Sequence, residues 1–249
     1  MELDRCTALV TGGSGDLGSA IARALGRAGV SVAVAYVGEQ RQAERVAAEV
    51  TEHGGRGWPV RLDQSEVSMP EEVVSATLAQ FGHLDILVNN AAWNIGIPFS
   101  DIEALTPEVW DRMYATNVRG PYLLARAAAR SMRTQQKGRI VNVASVAGLL
   151  HAGSSIAYAT SKAALIHLTR CLAVALAPSI LVNCVAPGLI EGTRMAQRLP
   201  AAMLELARKT AVLERAASPE DIADQVLAFC RSDSVTGQVL PIDCGLFPH

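Results

Sequence analysis

Short apolar runs alternate with longer stretches of helical periodicity along the whole chain, and no repeat or low-complexity tract interrupts the pattern. The short runs are apolar on both faces, as are strands of a parallel sheet that helices cover on each side. They predict seven strands, at residues 7–11, 31–36, 57–61, 86–89, 139–144, 180–186 and 238–242. The longer stretches predict helices at 17–28, 40–53, 70–81, 107–132, 158–176 and 219–231.

Regular alternation of strands and helices is typical of an α/β fold with a doubly wound parallel sheet of the Rossmann type and helices on both faces. The absence of a linker favours one domain over residues 1–249. Ligands bind such sheets at the carboxyl ends of the strands. We therefore expect the functional residues in the segments that follow the strands.

Composition excludes several classes of protein. The chain has 249 residues, a net charge of −2 and 50% hydrophobic residues, which disfavours disorder and nucleic-acid binding. The longest apolar run, 171–177, is too short to span a bilayer, so we expect no membrane partner. The five cysteines form no Cys-x-x-Cys pair, which disfavours a disulfide framework and a bound metal. We expect a cytoplasmic protein.

A glycine-rich turn, Thr11-Gly12-Gly13-Ser14-Gly15-Asp16-Leu17-Gly18, joins the first strand to a helix. Glycines at this place allow a tight turn and the close approach of a pyrophosphate to the helix N-terminus. We expect the Asp16 side chain to point to solvent as a cap while the phosphates bind the backbone. An ordinary turn without a ligand is the less favoured alternative. The predicted cofactor contacts here are Gly12, Ser14, Gly15, Asp16, Leu17 and Gly18.

The end of the second strand bears on the choice of cofactor. NAD-specific sheets carry an acidic residue there to hold the ribose hydroxyls, but this chain has Tyr36. Arg41 is close enough to meet a 2′-phosphate, so NADP is preferred over NAD. It is equally open that Glu39 and Arg41 are solvated charges at the start of a helix.

Tyr158 and Lys162 lie four residues apart on a predicted helix, hence on one face. With four tyrosines and three lysines in the chain, chance placement gives only ~0.05 such pairs, which makes this short motif informative. Ser145 follows a predicted strand thirteen residues upstream. A surface pair without function is the alternative.

These features together resemble the short-chain dehydrogenase/reductase family, from Thr7 to about Gly245. The resemblance adds Asp63, Asn89-Asn90-Ala91-Ala92, Asn117, Asn183, Pro187-Gly188 and Thr236-Gly237-Gln238 in the family's order. It implies that Tyr158 is the acid/base, that Lys162 holds the nicotinamide ribose and lowers the phenol pKa, that Ser145 binds the reacting oxygen and that Asn117 completes a water-linked proton relay.

The resemblance also implies further cofactor contacts. Asp63 would meet the adenine edge and Asn90 the adenosine ribose, although each could instead cap a strand end. Pro187 and Gly188 would contact the cofactor, and Thr193 would contact the nicotinamide amide, although the family places that threonine one position earlier. Asp16 also departs from the family pattern, which has glycine there.

Three segments are expected to face the substrate: 93–97, 149–154 and a stretch resembling the family's mobile lid, here called the lid segment (residues 189–213). Trp93, Leu150, His151 and Leu189 are the candidate substrate contacts, with core packing or an ordinary loop histidine as alternatives. They suit a hydrophobic ketone or secondary alcohol. Within the family the chain resembles β-ketoacyl-carrier-protein reductases and secondary alcohol or sugar dehydrogenases, and the sequence does not separate these, so the resemblance makes a 3-oxoacyl thioester one candidate substrate.

Two alternatives concern assembly and activity. The long predicted helices 107–132 and 158–176 are apolar around much of their circumference, which favours a subunit interface and the family's common homotetramer. A nucleotide-binding regulatory protein without catalysis is the other functional class, because fold alone does not prove function.

Overall fold

The computed structural model describes residues 1–197 and 201–247, without the side chain of Met203. It contains a seven-stranded sheet in which every neighbouring pair is parallel, in the order β3-β2-β1-β4-β5-β6-β7. This confirms the predicted doubly wound Rossmann-type fold. The strands are β1 Thr7–Val10, β2 Ser31–Tyr36, β3 Gly57–Arg61, β4 Ile86–Asn89, β5 Gly138–Val143, β6 Ile180–Pro187 and β7 Val239–Ile242.

Helices cover both faces of the sheet because each strand is apolar on both sides. Residues of α1, α2 and α9 share one large buried cluster, and residues of α3, α5 and α6 share a second. The helices are α1 Asp16–Arg27, α2 Gln40–Glu52, α3 Met69–Phe81, α4 Pro107–Tyr114, α5 Gly120–Thr134, α6 Ile156–Leu176, α7 Arg194–Gln197, α8 Ala201–Thr210 and α9 Pro219–Arg231.

The helix predicted at 107–132 is not continuous. A π-helical turn, Ala115–Arg119, separates α4 from α5, and the Gly120 N–H donates to Ala115 O. Pro121 has no N–H to offer the carbonyl four residues earlier, so the regular α-helical pattern cannot continue through this point. The widened turn places Asn117 inside the protein.

The helix α6 is the one described element long and apolar enough to pass a length-and-composition test for a membrane span, with half of the tested window buried. It packs against β5 and β6, as a core helix of the domain does. The lid segment contains α7 and α8, and a parallel bridge pairs Ile190 with Ala217. The single domain at 1–249 and the mobility of the lid segment stay predictions; part of the segment, 198–200, lies outside the described residues.

Candidate active site

The strand order reverses at β1, which pairs with β2 on one side and β4 on the other. In open α/β sheets a crevice forms at such a point, outside the carboxyl ends of the strands. The glycine turn follows β1, Asn90 follows β4 and Ser145 follows β5. The predicted site residues therefore line one edge of the sheet.

The glycine turn has the shape that a pyrophosphate requires. Gly12 adopts a positive φ of 62°, and the Gly15 N–H donates to Gly12 O at 3.0 Å. At Gly18 a Cβ would lie 2.1 Å from Gly12 O, so only glycine allows this approach of helix and turn. The N-cap Gly15 supplies no side-chain cap for α1, which leaves the first N–H groups of the helix available to an anion.

Asn90 supports this turn from β4. Its side-chain amide donates to Thr11 O at 2.8 Å and to Gly12 O at 3.3 Å. The Thr11 hydroxyl accepts in return from the N–H groups of Asn90 and Ala91. Asn90 thus fixes the turn, and its predicted contact with an adenosine ribose stays a prediction.

The expectation that Asp16 points to solvent as a cap is wrong. Its carboxylate makes no capping hydrogen bond and instead accepts from the Arg194 N–H at 2.7 Å. The Arg194 Nε also lies 3.5 Å from the other carboxylate oxygen. The negative charge of Asp16 is therefore paired with the lid segment.

Tyr158 and Ser145 face each other at the ends of β5 and α6. The Tyr158 side chain is buried, which raises its pKa, while a hydrogen bond with the Ser145 hydroxyl lowers that pKa in part. Ser145 also accepts from the Ala147 N–H at 3.1 Å and so caps a short 3₁₀ turn. The Tyr158 and Ser145 hydroxyl groups are thus placed to form hydrogen bonds with the same substrate oxygen atom.

Lys162 lies one turn after Tyr158 and is buried. Its Nζ donates to Val143 O at 2.9 Å and lies 5.7 Å from the centre of the Tyr158 ring. Burial lowers the pKa of Lys162 to about 8, and nearby Cys184 opposes this shift. The resemblance implies that Lys162 lowers the pKa of the Tyr158 phenol. In the structure, burial is the largest influence on that pKa and raises it.

Asn117 connects the π-helical turn to this site. Its Oδ1 accepts from the Trp93 N–H at 2.8 Å, and its Nδ2 lies within hydrogen-bond distance of Trp93 O and Ser161 Oγ. Ser161 Oγ in turn donates to Tyr158 O at 2.8 Å. Asn117 therefore holds the segment after β4 against α6, whereas its part in a proton relay stays a prediction.

The predicted adenosine contacts are less closely assembled. Asp63 accepts from both the N–H and the hydroxyl of Ser65. These bonds form a turn at the strand end, which is the alternative role that the sequence left open for Asp63. Tyr36 packs against the core from the end of β2. Arg41 is exposed and lines a cavity of about 850 Å³ together with Ser14, Asp16, Glu39, Arg45 and Arg194.

Pro187 and Gly188 close the end of β6. The Gly188 N–H donates to Ile242 O at 2.9 Å, and a Cβ on Gly188 would lie 2.7 Å from the Cβ of Asp243. Thr193 is buried, but its hydroxyl donates to Ile190 O and accepts from the Ala196 N–H within its own turn. Its contact with a nicotinamide amide stays a prediction.

Two of the predicted substrate segments meet. The Ile97 N–H donates to Ser154 O at 2.8 Å, and Trp93 lies half-buried in a cluster with Tyr158. Leu150 and Leu189 are half-buried and His151 is exposed. Met195, in the lid segment, has 53% of its surface exposed.

Three residues of the site, Ser155, Ser161 and Arg194, were not predicted from the sequence. Ser155 is the N-cap of α6 and accepts from the Tyr158 N–H, so the helix begins two residues before the predicted start. A serine three residues before Tyr158 is a recognisable capping signal. Ser161 and Arg194 had no such signal, because their partners are distant in sequence.

Comparison with known proteins agrees with this architecture. The family model for short chain dehydrogenase matches residues 6–204, which is most of the chain. The chain belongs to the short-chain dehydrogenase family. Similar proteins are named as reductases and dehydrogenases, and none of these names supports the non-catalytic alternative. As a member of this family the protein is an NAD(P)-dependent oxidoreductase.

Two similar relatives are named as oxoacyl reductases. A "Granaticin polyketide synthase putative ketoacyl reductase 2" of Streptomyces violaceoruber is 39% identical over 240 residues, covering 96% of this chain and 94% of the relative. A "3-oxoacyl-[acyl-carrier-protein] reductase" of Synechocystis sp. is 33% identical over 245 residues and covers 96% of each chain.

Similar proteins of known structure include one that depends on NADPH and one with NAD⁺ bound. An NADPH-dependent 3-quinuclidinone reductase from Rhodotorula rubra superimposes with a TM-score of 0.91 at 27% identity, covering 99% of this chain and 92% of that one. An NAD⁺-bound xylitol dehydrogenase gives a TM-score of 0.88 at 29% identity, covering 98% and 100%. Use of a nicotinamide dinucleotide is thus a property of these neighbours, and they do not share one preference.

Proposed function

We propose that this protein reduces a hydrophobic ketone, of the 3-oxoacyl thioester class, to a secondary alcohol, with Tyr158 as the proton donor. The observation that carries the proposal is the meeting of the Tyr158 phenol, the Ser145 hydroxyl and the Lys162 ammonium at one buried strand end. The two oxoacyl reductases among the similar relatives support the substrate class.

The protein's residues supply a proton and a polar pocket, and a bound nicotinamide supplies the hydride. Ser145 holds the carbonyl oxygen by a hydrogen bond that strengthens as negative charge develops. Tyr158 then donates its phenol proton to that oxygen. Its raised pKa keeps the phenol protonated near neutral pH, as a proton donor requires.

The residues of the glycine turn fit the dinucleotide. The uncapped N–H groups at the start of α1 and the positive φ at Gly12 form a cradle that side chains would fill. Lys162 would hold the nicotinamide ribose with the two protons that its bond to Val143 O leaves free. We infer a preference for NADP because Arg41 and Arg45 line the cavity beyond β2.

We also propose a cytoplasmic homotetramer. The five cysteines are free, which suits a reducing compartment. Within the helix predicted at 107–132, Ala127, Ala128 and Ala129 are buried in the core and do not contribute to an interface. The support for an interface comes from Val174, 83% exposed on α6, and from a cleft that Tyr122 and Leu168 line. Light scattering on the purified protein measures the assembly.

The catalytic proposal is tested by mixing the purified protein with NADPH or NADH and a panel of ketones, sugars and 3-oxoacyl thioesters while following the nicotinamide absorbance band. We expect oxidation of NADPH with oxoacyl thioesters and slower rates with small polar sugars. Turnover of sugars alone would contradict the substrate class, and faster turnover with NADH would contradict the cofactor preference.

A further inference from the structure

A charged cluster links the glycine turn to the lid segment. The Arg194 Nη1 donates to Glu39 Oε1 at 2.7 Å, and the Arg194 N–H donates to Asp16 Oδ2 at 2.7 Å. Glu39 precedes α2, Asp16 opens α1 and Arg194 opens α7. One arginine therefore ties three separate segments together around the cavity of about 850 Å³.

The Arg194 guanidinium lies beside the glycine turn. Its Nη2 lies 3.9 Å from the place that a Cβ on Gly15 would occupy, directly beside the turn that is shaped for phosphate. The first N–H groups of α1, which have no side-chain cap, lie directly after Gly15. A guanidinium here can form a bidentate contact with a phosphate as readily as with a carboxylate.

Two carboxylates pair with this guanidinium. Hydrogen bonds to Glu39 and the charge of Asp16 raise the pKa of Arg194, so it stays charged. All three side chains are substantially exposed, with 55% of Arg194, 50% of Glu39 and 35% of Asp16 accessible. Exposed ion pairs contribute little stability and exchange partners at low cost.

We propose that Arg194 is a cofactor-sensing latch: Glu39 and Asp16 hold it in the free protein, and a phosphate of the dinucleotide replaces Glu39 as its partner. This inference rests on the proposed binding of a nicotinamide dinucleotide at the glycine turn. The position of Nη2 beside Gly15 favours the pyrophosphate, which NAD and NADP share, over the 2′-phosphate. The exchange of partners would couple cofactor binding to the position of the lid segment.

Two measurements test the latch on the full protein. Titration calorimetry gives the Kd of NADP and of NAD, and amide hydrogen exchange of residues 189–197 without cofactor reports how firmly the lid segment is held. The variants are Arg194→Met and Glu39→Gln. The matched control is Arg208→Met, which removes a lid arginine whose partners are Glu191 and Glu205.

Arg194→Met should weaken both dinucleotides about tenfold. It should also accelerate exchange in the lid segment, because it removes the side-chain contact with Glu39 and leaves only the backbone N–H bond to Asp16. Glu39→Gln should also accelerate exchange but tighten binding about threefold, since it removes the competitor. A larger loss for NADP than for NAD in Arg194→Met would place the contact at the 2′-phosphate and still support the latch. The control should leave both Kd values within twofold of wild type.

Unchanged binding in Arg194→Met would overturn the proposal, as would unchanged exchange in that variant. Tenfold weaker binding in Glu39→Gln would also overturn it, because Glu39 would then be a ligand of the cofactor and not its competitor. The titrations require no turnover, so they distinguish failure of the latch from failure of the catalytic assignment.

Discussion

Around Tyr158 the polar groups are buried and bound to backbone atoms, whereas around the glycine turn the charges are exposed and bound to one another. Lys162 donates to Val143 O, and Ser155 accepts from the Tyr158 N–H as the N-cap of α6. The side chains of Lys162, Ser155 and Tyr158 are all buried. Arg194 and its two carboxylates are exposed by a third or more.

This difference separates two functions of one site. Buried polar groups keep one geometry because losing a partner there is costly, so they suit a step that needs exact placement of a proton. Exposed pairs are screened by salt and contribute little, so they suit a step in which a ligand must displace them. Substitutions near Tyr158 should therefore change kcat strongly, whereas those around the glycine turn should change cofactor Kd by about tenfold or less.

The largest effect is expected for Tyr158→Phe. The change removes one buried hydroxyl and its proton, and general acid catalysis is typically worth ~10²–10⁴-fold in kcat. Cofactor Kd should stay nearly unchanged. The control Tyr122→Phe removes a hydroxyl from an exposed position on α5 and should leave kcat unchanged. A Tyr158→Phe enzyme with a tenth or more of wild-type kcat at pH 7 would contradict the assignment.

Ser145→Ala should lower kcat and kcat/KM together by about 10²-fold, as loss of one donor to a developing oxyanion does. It also removes the cap of a short turn, with a loss of about 1 kcal/mol in the free energy of unfolding. Ser218→Ala is the matched control, because it removes the cap of α9 but no group near Tyr158. A rise in KM alone would make Ser145 only a binding residue.

Lys162→Met should abolish most turnover and weaken cofactor binding, yet stabilise the free protein. Burial lowers the lysine pKa from 10.5 to about 8, and at 1.36 kcal/mol per unit the buried charge costs roughly 3 kcal/mol at pH 7. Denaturant unfolding should show a gain of up to that size. Unchanged cofactor affinity would remove Lys162 from the site.

The same variant has a pH signature. Between pH 8 and 10.5 the unfolded chain holds a proton that the folded Lys162 has lost, so wild-type stability gains from rising pH across this window. The methionine variant lacks this gain, and the difference between the two proteins should shrink toward pH 10.5. The exposed Lys137→Met should show neither effect. A constant difference across the window would contradict the buried charge.

Strand and helix positions followed from apolar periodicity because the sheet is covered on both faces and its strands are short. The sequence also placed Tyr158, Lys162 and Ser145 together, since spacing on one helix and one strand end is local information. The break at Asn117 was missed although Pro121 signals it, because apolar periodicity continues through the break. The link from Asp16 to Arg194 spans 178 residues, and no local pattern encodes such a contact.

The smallest effect is expected for Asp16→Asn, with a change in cofactor Kd of less than about threefold, well under the ~1.4 kcal/mol of a tenfold step. The neutral side chain keeps an oxygen that can accept from the Arg194 N–H, and the contact between Arg194 and Glu39 is unchanged, so the lid segment stays attached. Removing the charge lessens repulsion of phosphate, but this charge is already paired with Arg194. Calorimetric titration with NADP and NAD measures the change, and Asp224→Asn on α9 is the control. Tenfold tighter binding by Asp16→Asn would mean that its carboxylate faces the phosphates unpaired, and the contrast between the two ends of the site would then lose its basis.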